Sequence, residues 1–185
     1  MKSVSIHFAF IVAIAAVLIS CGGNKGRVAN YQTAVCDTSH FVSLPSDGNM
    51  NGVVLKGDTP IALKSITVWV ENPAPFFLDI KSVQKSEPNR IYKGEKVRSL
   101  LDKAILCAPE QQGSYTIDLT DDHVSSSDDI FILFQPASPQ DKPLFASCQS
   151  KPKGMFYAVA IGNSVSYSDM FGAPINPIFV SIATN

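Results

Sequence analysis

Strict alternation of apolar and polar side chains in several short segments most constrains what this chain can fold into. Residues 66–71 read Ile-Thr-Val-Trp-Val-Glu, which places three apolar side chains on one face of an extended strand. Residues 76–81 and 115–119 repeat the pattern. The intervening Asn-Pro-Ala-Pro at 72–75 predicts a turn, because proline cannot donate a hydrogen bond to a central ladder.

Further apolar runs complete this pattern of short strands. They lie at residues 53–55, 130–134, 156–161 and 178–182. The run at 130–134 is apolar throughout, which is typical of a strand that is covered on both faces. Twelve prolines and eleven glycines fall mostly between the runs. The sequence therefore predicts an all-β fold, a β-sandwich of the jelly-roll or immunoglobulin-like kind.

One segment has a helical period instead. Its apolar side chains, at the i, i+3, i+4, i+7 and i+8 spacing of one helix face, are Val97, Leu100, Leu101, Ala104 and Ile105. This spacing predicts one short inserted helix near residues 95–106, which ends before Pro109. A helix inserted in a sandwich commonly closes one end of it or covers an open sheet edge.

The charge balance argues against two classes of partner. The 185-residue chain carries 15 basic and 16 acidic side chains, for a net charge of −1. It has no basic field for nucleic acid and no polybasic stretch for anionic lipid. The apolar fraction of 45% is nevertheless ordinary for a folded domain.

The N-terminal segment has the form of an export signal. Lys2 supplies a positive charge, and the apolar run that ends at Ile19 is too short to span a bilayer as a stable helix. The residues Leu-Ile-Ser-Cys at 18–21 resemble the lipobox of bacterial lipoproteins. The resemblance implies that residues 1–20 are a signal peptide removed by signal peptidase II. It also implies that the Cys21 thiol carries a diacylglyceryl group and that the new amino terminus carries a further acyl chain, such as palmitate.

This resemblance also implies a location in the cell envelope. Two or more acyl chains anchor a protein far more firmly than one. Gly22 is not the aspartate that commonly retains lipoproteins at the inner membrane, so the expected site in a cell with two membranes is the outer membrane. Residues 21–35 are polar and glycine-rich, which suits a tether to a single sandwich domain at 36–185.

Three further cysteines, Cys36, Cys107 and Cys148, follow the lipobox. Export would place them in an oxidising compartment, where we expect one disulfide bond. The sequence leaves all three pairings open, and Cys107–Cys148 is preferred because Cys36 lies near the tether. A disulfide that closes the loop of about 40 residues between Cys107 and Cys148 would stabilise the fold by roughly 3–4 kcal/mol in the chain-entropy model. The wide spacing of the cysteines argues against a zinc site.

Residues 47–58 resemble the twelve-residue calcium loop of EF-hand proteins. The implied ligands, at loop positions one, three, five, seven and twelve, are Asp47, Asn49, Asn51, the backbone carbonyl of Val53, and Asp58. The resemblance implies weak calcium binding. Aspartate at the last position and strand-like flanks depart from the family pattern. The alternative is a hairpin or loop in which the Asn-Gly pair at 51–52 forms a tight turn.

A second acidic cluster surrounds His123 between two predicted strands. It consists of Asp118, Asp121, Asp122, Asp128 and Asp129. Paired carboxylates can perform acid–base chemistry or hold calcium, but a polar connection of this kind predicts an exposed loop. The letters Ser-Val-Gln-Lys at 82–85 match the Ser-x-x-Lys of penicillin-binding proteins, yet the partner Lys-Thr-Gly strand is missing.

Aromatic residues are the remaining candidates for ligand contact. If the apolar side chains of residues 66–70 face the core, Trp69 faces away from it, as do Phe77 and Phe179 in their own strands. Such aromatics stack on sugars or anchor a protein partner, unless this face is buried as well. The sequence favours a lipid-anchored, non-enzymatic envelope protein that binds a glycan or an envelope protein, or that scaffolds. The alternative is a glycosidase-like polymer hydrolase, which needs only two well-placed carboxylates.

Overall fold

A computed structural model describes residues 30–32, 41–57, 59–147, 155–168, 178 and 180–184. Its strands are β1 (Asn30–Gln32), β2 (Phe41–Ser43), β3 (Met50–Leu55), β4 (Ile61–Asn72), β5 (Phe76–Val83), β6 (Arg98–Ser99), β7 (Ile105–Cys107), β8 (Gly113–Asp118), β9 (Ser125–Ser126), β10 (Asp129–Pro136), β11 (Leu144–Ala146), β12 (Met155–Ile161), β13 (Ser164–Ser168) and β14 (Val180–Thr184). A 3₁₀ turn, Gly94–Lys96, is the sole helical element of this described part.

Two antiparallel sheets pack face to face, which confirms the predicted all-β sandwich. The first, the β4 sheet, has the order β1-β14-β4-β11-β2. Because β4 is 12 residues long, it pairs with four strands: β9 at its start, β14 and β8 along its middle, and β11 at its end. The second, the β10 sheet, has the order β13-β12-β3-β10-β5-β6, and β7 also pairs with β5.

The main core lies between the two sheets and is built from alternate positions of the long strands. In β4, Ile66, Val68 and Val70 are fully buried there, as the alternation predicted. From the β10 sheet, the ring of Phe76 meets that of Phe145 edge-on, at 5.0 Å between centroids. Aromatic rings in this geometry add to the stabilisation from burial alone.

The β10 sheet is covered on its other face too. Phe131 and Leu133 alternate with the core residues of β10 and pack there against Tyr92 and Tyr167, which form part of an outer cluster. Tyr92 belongs to the segment 84–97, which links β5 to β6. Coverage on both faces explains why the sequence of β10 is apolar at consecutive positions.

The helix predicted near residues 95–106 is wrong. The chain here makes the 3₁₀ turn and then forms β6 and β7, which both pair with β5. The periodic apolar residues do not share one face, because Val97 packs on the outer cluster whereas Leu101 and Ile105 pack on the core between the sheets. The edge of β5 offers backbone hydrogen bonds as well, and these two tertiary effects override the helical spacing.

The tight turn predicted at residues 51–52 lies earlier in the chain. Gly48 has a φ of 83°, whereas Asn51 and Gly52 lie within β3. A Cβ atom at Gly52 would lie 1.8 Å from the carbonyl oxygen of Ile132 in β10. Gly52 is therefore required for the close approach of two strand backbones, not for a turn.

The predicted disulfide between Cys107 and Cys148 is not formed in this structure. Cys107 is a free thiol, 1% exposed, with its Sγ 3.7 Å from the carbonyl oxygen of Ile105. Burial among the core side chains raises the pKa of this thiol to about 12.

Several predicted features lie outside the described residues: the signal peptide at 1–20, Cys21, Cys36, Asp58, Cys148 and Phe179. Strand β1 lies inside the segment predicted as a tether and pairs with β14.

Candidate functional site

A partly buried ion pair joins the end of β3 to the start of β10. The Nζ atom of Lys56 lies 2.6 Å from Oδ2 of Asp129, whose side chain is only 4% exposed. The antiparallel pairing of β3 with β10 brings the two residues together across 73 positions of sequence. The backbone N–H of Gly57 donates to Oδ1 of Asp129 at 2.8 Å, so both carboxylate oxygens accept hydrogen bonds.

Hydrogen bonds keep this pair charged at neutral pH. Burial by itself raises the pKa of Asp129, but bonds from Lys56, Ser86 and Gly57 outweigh it and hold that pKa below its ordinary value. Partial burial lowers the pKa of Lys56, and its bonds to Asp129 and Tyr167 outweigh that effect and raise the pKa. Each partner therefore favours the charged form of the other.

The expectation that Asp129 belongs to an exposed acidic loop is wrong. Asp129 is 3% exposed, because the first residue of β10 is enclosed by the end of β3 and by Ser86. The rest of the cluster behaves as predicted: Asp118, Asp121, Asp122 and His123 are exposed, and Asp128 is partly buried.

The ion pair anchors the segment 84–97 through Ser86. The backbone N–H and the hydroxyl of Ser86 donate to Oδ2 of Asp129 at 2.6 and 2.5 Å. The carbonyl oxygen of Ser86 accepts from Nζ of Lys56 at 2.5 Å and from the hydroxyl of Tyr167 at 3.2 Å. One end of the segment is thus fixed to β10, to β13 and to the residue that follows β3.

Tyr92 fixes the middle of the same segment. Its backbone exchanges two hydrogen bonds of 2.9 Å with Val165 in β13, and its hydroxyl accepts from the N–H of Glu87 at 2.8 Å. Its ring packs on the outer cluster. A connection of this length would otherwise be free to move, so these bonds give it a defined shape.

Segment 84–97, together with β5 and β6, encloses a concave surface of about 560 Å³, which we call the basic groove. Its charged lining residues are the cations Lys85, Arg90, Lys96 and Arg98 and the anions Glu95 and Asp128. All four cations are exposed. They come from different elements: the turn after β5, the middle of the segment, the 3₁₀ turn and β6.

One of these cations, Arg90, has side-chain partners, and another, Lys85, has an unusual backbone conformation. The guanidinium of Arg90 lies over the ring of Tyr92, 5.6 Å from its centroid, and Nη1 donates to Oε2 of Glu87 at 3.0 Å. The bond to Glu87 raises the pKa of Arg90. Lys85 has a φ of 47°, a left-handed conformation that costs a non-glycine residue about 1–2 kcal/mol. Such local strain is common where a side chain is positioned for function.

The Ser-x-x-Lys letters fall in this groove without catalytic geometry. Ser82 is 1% exposed, and its hydroxyl has no hydrogen-bond partner among the described residues. Lys85 therefore does not contact it as a general base would.

Trp69 lies on a different surface from the basic groove. It is in β4, opposite Ser114 of β8, on the face of the β4 sheet that points away from the core, and it is half-buried. Phe77 in β5 is also half-buried. The structure therefore does not bring the predicted aromatic anchor to the groove.

The predicted calcium ligands are spread out over the described residues. The carboxylate of Asp47 accepts from the backbone N–H and the side-chain amide of Asn49, at 3.1 and 2.7 Å, as in an Asx-turn. Asn51 and Val53 lie in β3, where a strand rises about 3.3 Å per residue. No group of three His, Cys, Asp or Glu residues within the described ranges could hold a metal ion. This geometry favours the loop interpretation, and calcium binding stays a prediction.

Comparisons with protein-family models, with curated proteins and with solved structures returned no match for this chain. In the described part of the chain, no helix has the length and hydropathy needed to cross a bilayer.

Sequence reasoning missed the basic groove because its charges are interspersed with acidic and apolar residues. The local signal was nevertheless present, since residues 84–98 contain five basic and two acidic side chains in a chain of net charge −1. A window of that length would have found it.

Proposed function

We propose that this protein is a lipid-anchored bacterial envelope protein whose sandwich domain binds a partner in the basic groove and does not catalyse a reaction. The resemblance of residues 18–21 to a lipobox supports the anchor. Acylation of Cys21 would hold the domain at a membrane surface, the outer membrane in a cell with two membranes. Binding there gains from the high local concentration of envelope partners.

The observation that carries the binding role is the fixed shape of segment 84–97. The Lys56–Asp129 pair fastens the segment through Ser86, and the pairing of Tyr92 with Val165 fastens it again further along. A binding surface that is ordered before the partner arrives loses less conformational entropy on association. Sites supported by rigid elements in this way are typical of recognition surfaces.

The anchor and the binding role need separate experiments. Mass spectrometry of the mature amino terminus should find an acylated Cys21, and Cys21→Ser should abolish the acyl mass. An unmodified amino terminus elsewhere in the chain would contradict the anchor.

For the binding role, the purified protein should sediment with washed cell envelopes, and Arg90→Gln combined with Arg98→Gln should reduce the bound fraction. The matched control is Lys103→Gln combined with Lys142→Gln, which removes two exposed cations outside the groove. Equal loss in both double variants would contradict a role for the groove. Release of soluble polymer fragments during the incubation would reject the non-enzymatic proposal.

A further inference from the structure

We propose that the basic groove binds an anionic group, a phosphate, sulfate or carboxylate, carried on a polymer chain. This inference rests on the proposed function and names the class of its ligand.

The convergence of like charges is the first argument. Lys85, Arg90, Lys96 and Arg98 come from four different places in the fold and line one concave surface. Three anions oppose them: Glu95 and Asp128 in the lining, and Glu87, the ion-pair partner of Arg90. Like charges that share a site repel one another, and an anion in the groove relieves this repulsion. A concave surface also focuses the field of its charges and so increases the local concentration of anions.

The chemistry of Arg90 and Arg98 is the second argument. A guanidinium presents five N–H donors in a planar fork that matches the oxygens of phosphate, sulfate and carboxylate. Within the described residues, the structure gives Arg90 one protein acceptor, Glu87. Arg98 lies in β6, whose backbone pairs with Ser82, so its Cα position is set by the sheet. The fold therefore sets where the backbone of each arginine lies, and guanidinium donors of both remain for a ligand.

The size of the groove is the third argument. Its volume of about 560 Å³ falls in the usual range of ligand sites, roughly 300–1,000 Å³. A single phosphate or sulfate ion fills only a small part of such a volume. Exposed cations along the groove suit a chain that carries repeated anionic groups.

The test is titration calorimetry of the purified protein with defined probes. Dextran sulfate, polyphosphate and polygalacturonate carry the three anionic groups, and neutral dextran is the polymer control. We expect binding of at least one anionic polymer, with affinity that falls as salt is raised, and no binding of neutral dextran. Inorganic phosphate and sulfate distinguish the free ion from the polymer. Tight binding of the free ion with no gain from its polymer would overturn the polymeric part of the inference.

The variants locate the binding in the groove. Arg90→Gln and Arg98→Gln should each weaken binding of the anionic polymer by about tenfold or more, the usual effect of losing a hydrogen bond to a charged group. Arg90→Lys keeps the charge without the fork and should weaken binding less. The control Lys103→Gln combined with Lys142→Gln should bind as wild type does. Circular dichroism should show that all variants are folded, since every substituted side chain is exposed.

The outcomes separate this inference from the proposed function. If no anionic polymer binds, or if both arginine variants bind as wild type does, the inference is overturned. The proposed function would still stand in that case if the wild-type protein binds washed envelopes and the double variant Arg90→Gln with Arg98→Gln does not. Absence of both kinds of binding would overturn both.

Discussion

Replacement of Asp129 by alanine removes the acceptor of four hydrogen bonds at one end of the β10 sheet. The donors are Nζ of Lys56, the N–H of Gly57, and the N–H and hydroxyl of Ser86. Breaking a buried ion pair by removing one partner typically costs about 3–5 kcal/mol. The Lys56 side chain is 28% exposed and can recover some hydration, which reduces the cost of leaving it without its partner. We expect Asp129→Ala to lower the free energy of unfolding by about 3 kcal/mol.

Urea denaturation followed by two probes measures this loss. Trp69 is the single tryptophan of the chain, so its fluorescence reports on the β4 sheet, and far-ultraviolet circular dichroism reports on both sheets. Coincident transitions would show two-state unfolding, so that the free energies of unfolding of the variants can be compared. Asp121→Ala, at an exposed aspartate, is the matched control and should stay within about 0.5 kcal/mol of wild type. A loss below about 1 kcal/mol in Asp129→Ala would refute the idea that this pair anchors the sheet and segment 84–97.

The difference in the free energy of unfolding between wild type and Asp129→Ala should depend on pH in a defined direction. Because the folded protein lowers the pKa of Asp129, its contribution is complete above the unfolded value of about 3.9. That contribution is lost as pH falls through the lower pKa of the folded state. The gap in stability between wild type and Asp129→Ala should therefore be constant near neutral pH and shrink below about pH 4. An unchanged gap at pH 3 would contradict the lowered pKa.

Three further predictions follow from individual side chains. Gly52→Ala should lower the free energy of unfolding by about 3 kcal/mol or more, since its Cβ would lie 1.8 Å from the carbonyl oxygen of Ile132. Gly48→Ala, whose Cβ meets nothing within 4 Å, should cost about 1 kcal/mol from its positive φ alone. Thermal denaturation compares the two variants, and equal losses would contradict the close approach of the strands. Cys107 should not react with a thiol reagent at pH 8 until the protein is unfolded, because burial raises its pKa to about 12; reaction in the native protein would show that the core around it opens. Trp69→Ala should keep cooperative unfolding by circular dichroism and leave envelope binding unchanged, because Trp69 lies on a different surface from the basic groove. Loss of folding would show that Trp69 is a core residue, and loss of binding would show that the partner contacts the β4 sheet.

Local side-chain patterns were sufficient for the fold class but failed where two packing surfaces meet. Alternation in β4 correctly placed Ile66, Val68 and Val70 in the core. The helical spacing of residues 95–106 was equally regular and misleading, because the structure divides those residues between the core and the outer cluster. Periodicity records which side chains are apolar, not how many surfaces are available to bury them.

Patterns among neighbours within a few residues were sufficient to predict the class of fold, the long strands such as β4, β5 and β10, and the expected lipid anchor. Tertiary structure alone decided the role of Asp129, whose partner Lys56 lies 73 residues away, and the position of Ser86 between them. It also decided that four dispersed cations line one groove. A charge in sequence has no defined environment until strand pairing sets its burial, its partners and the direction of its pKa shift.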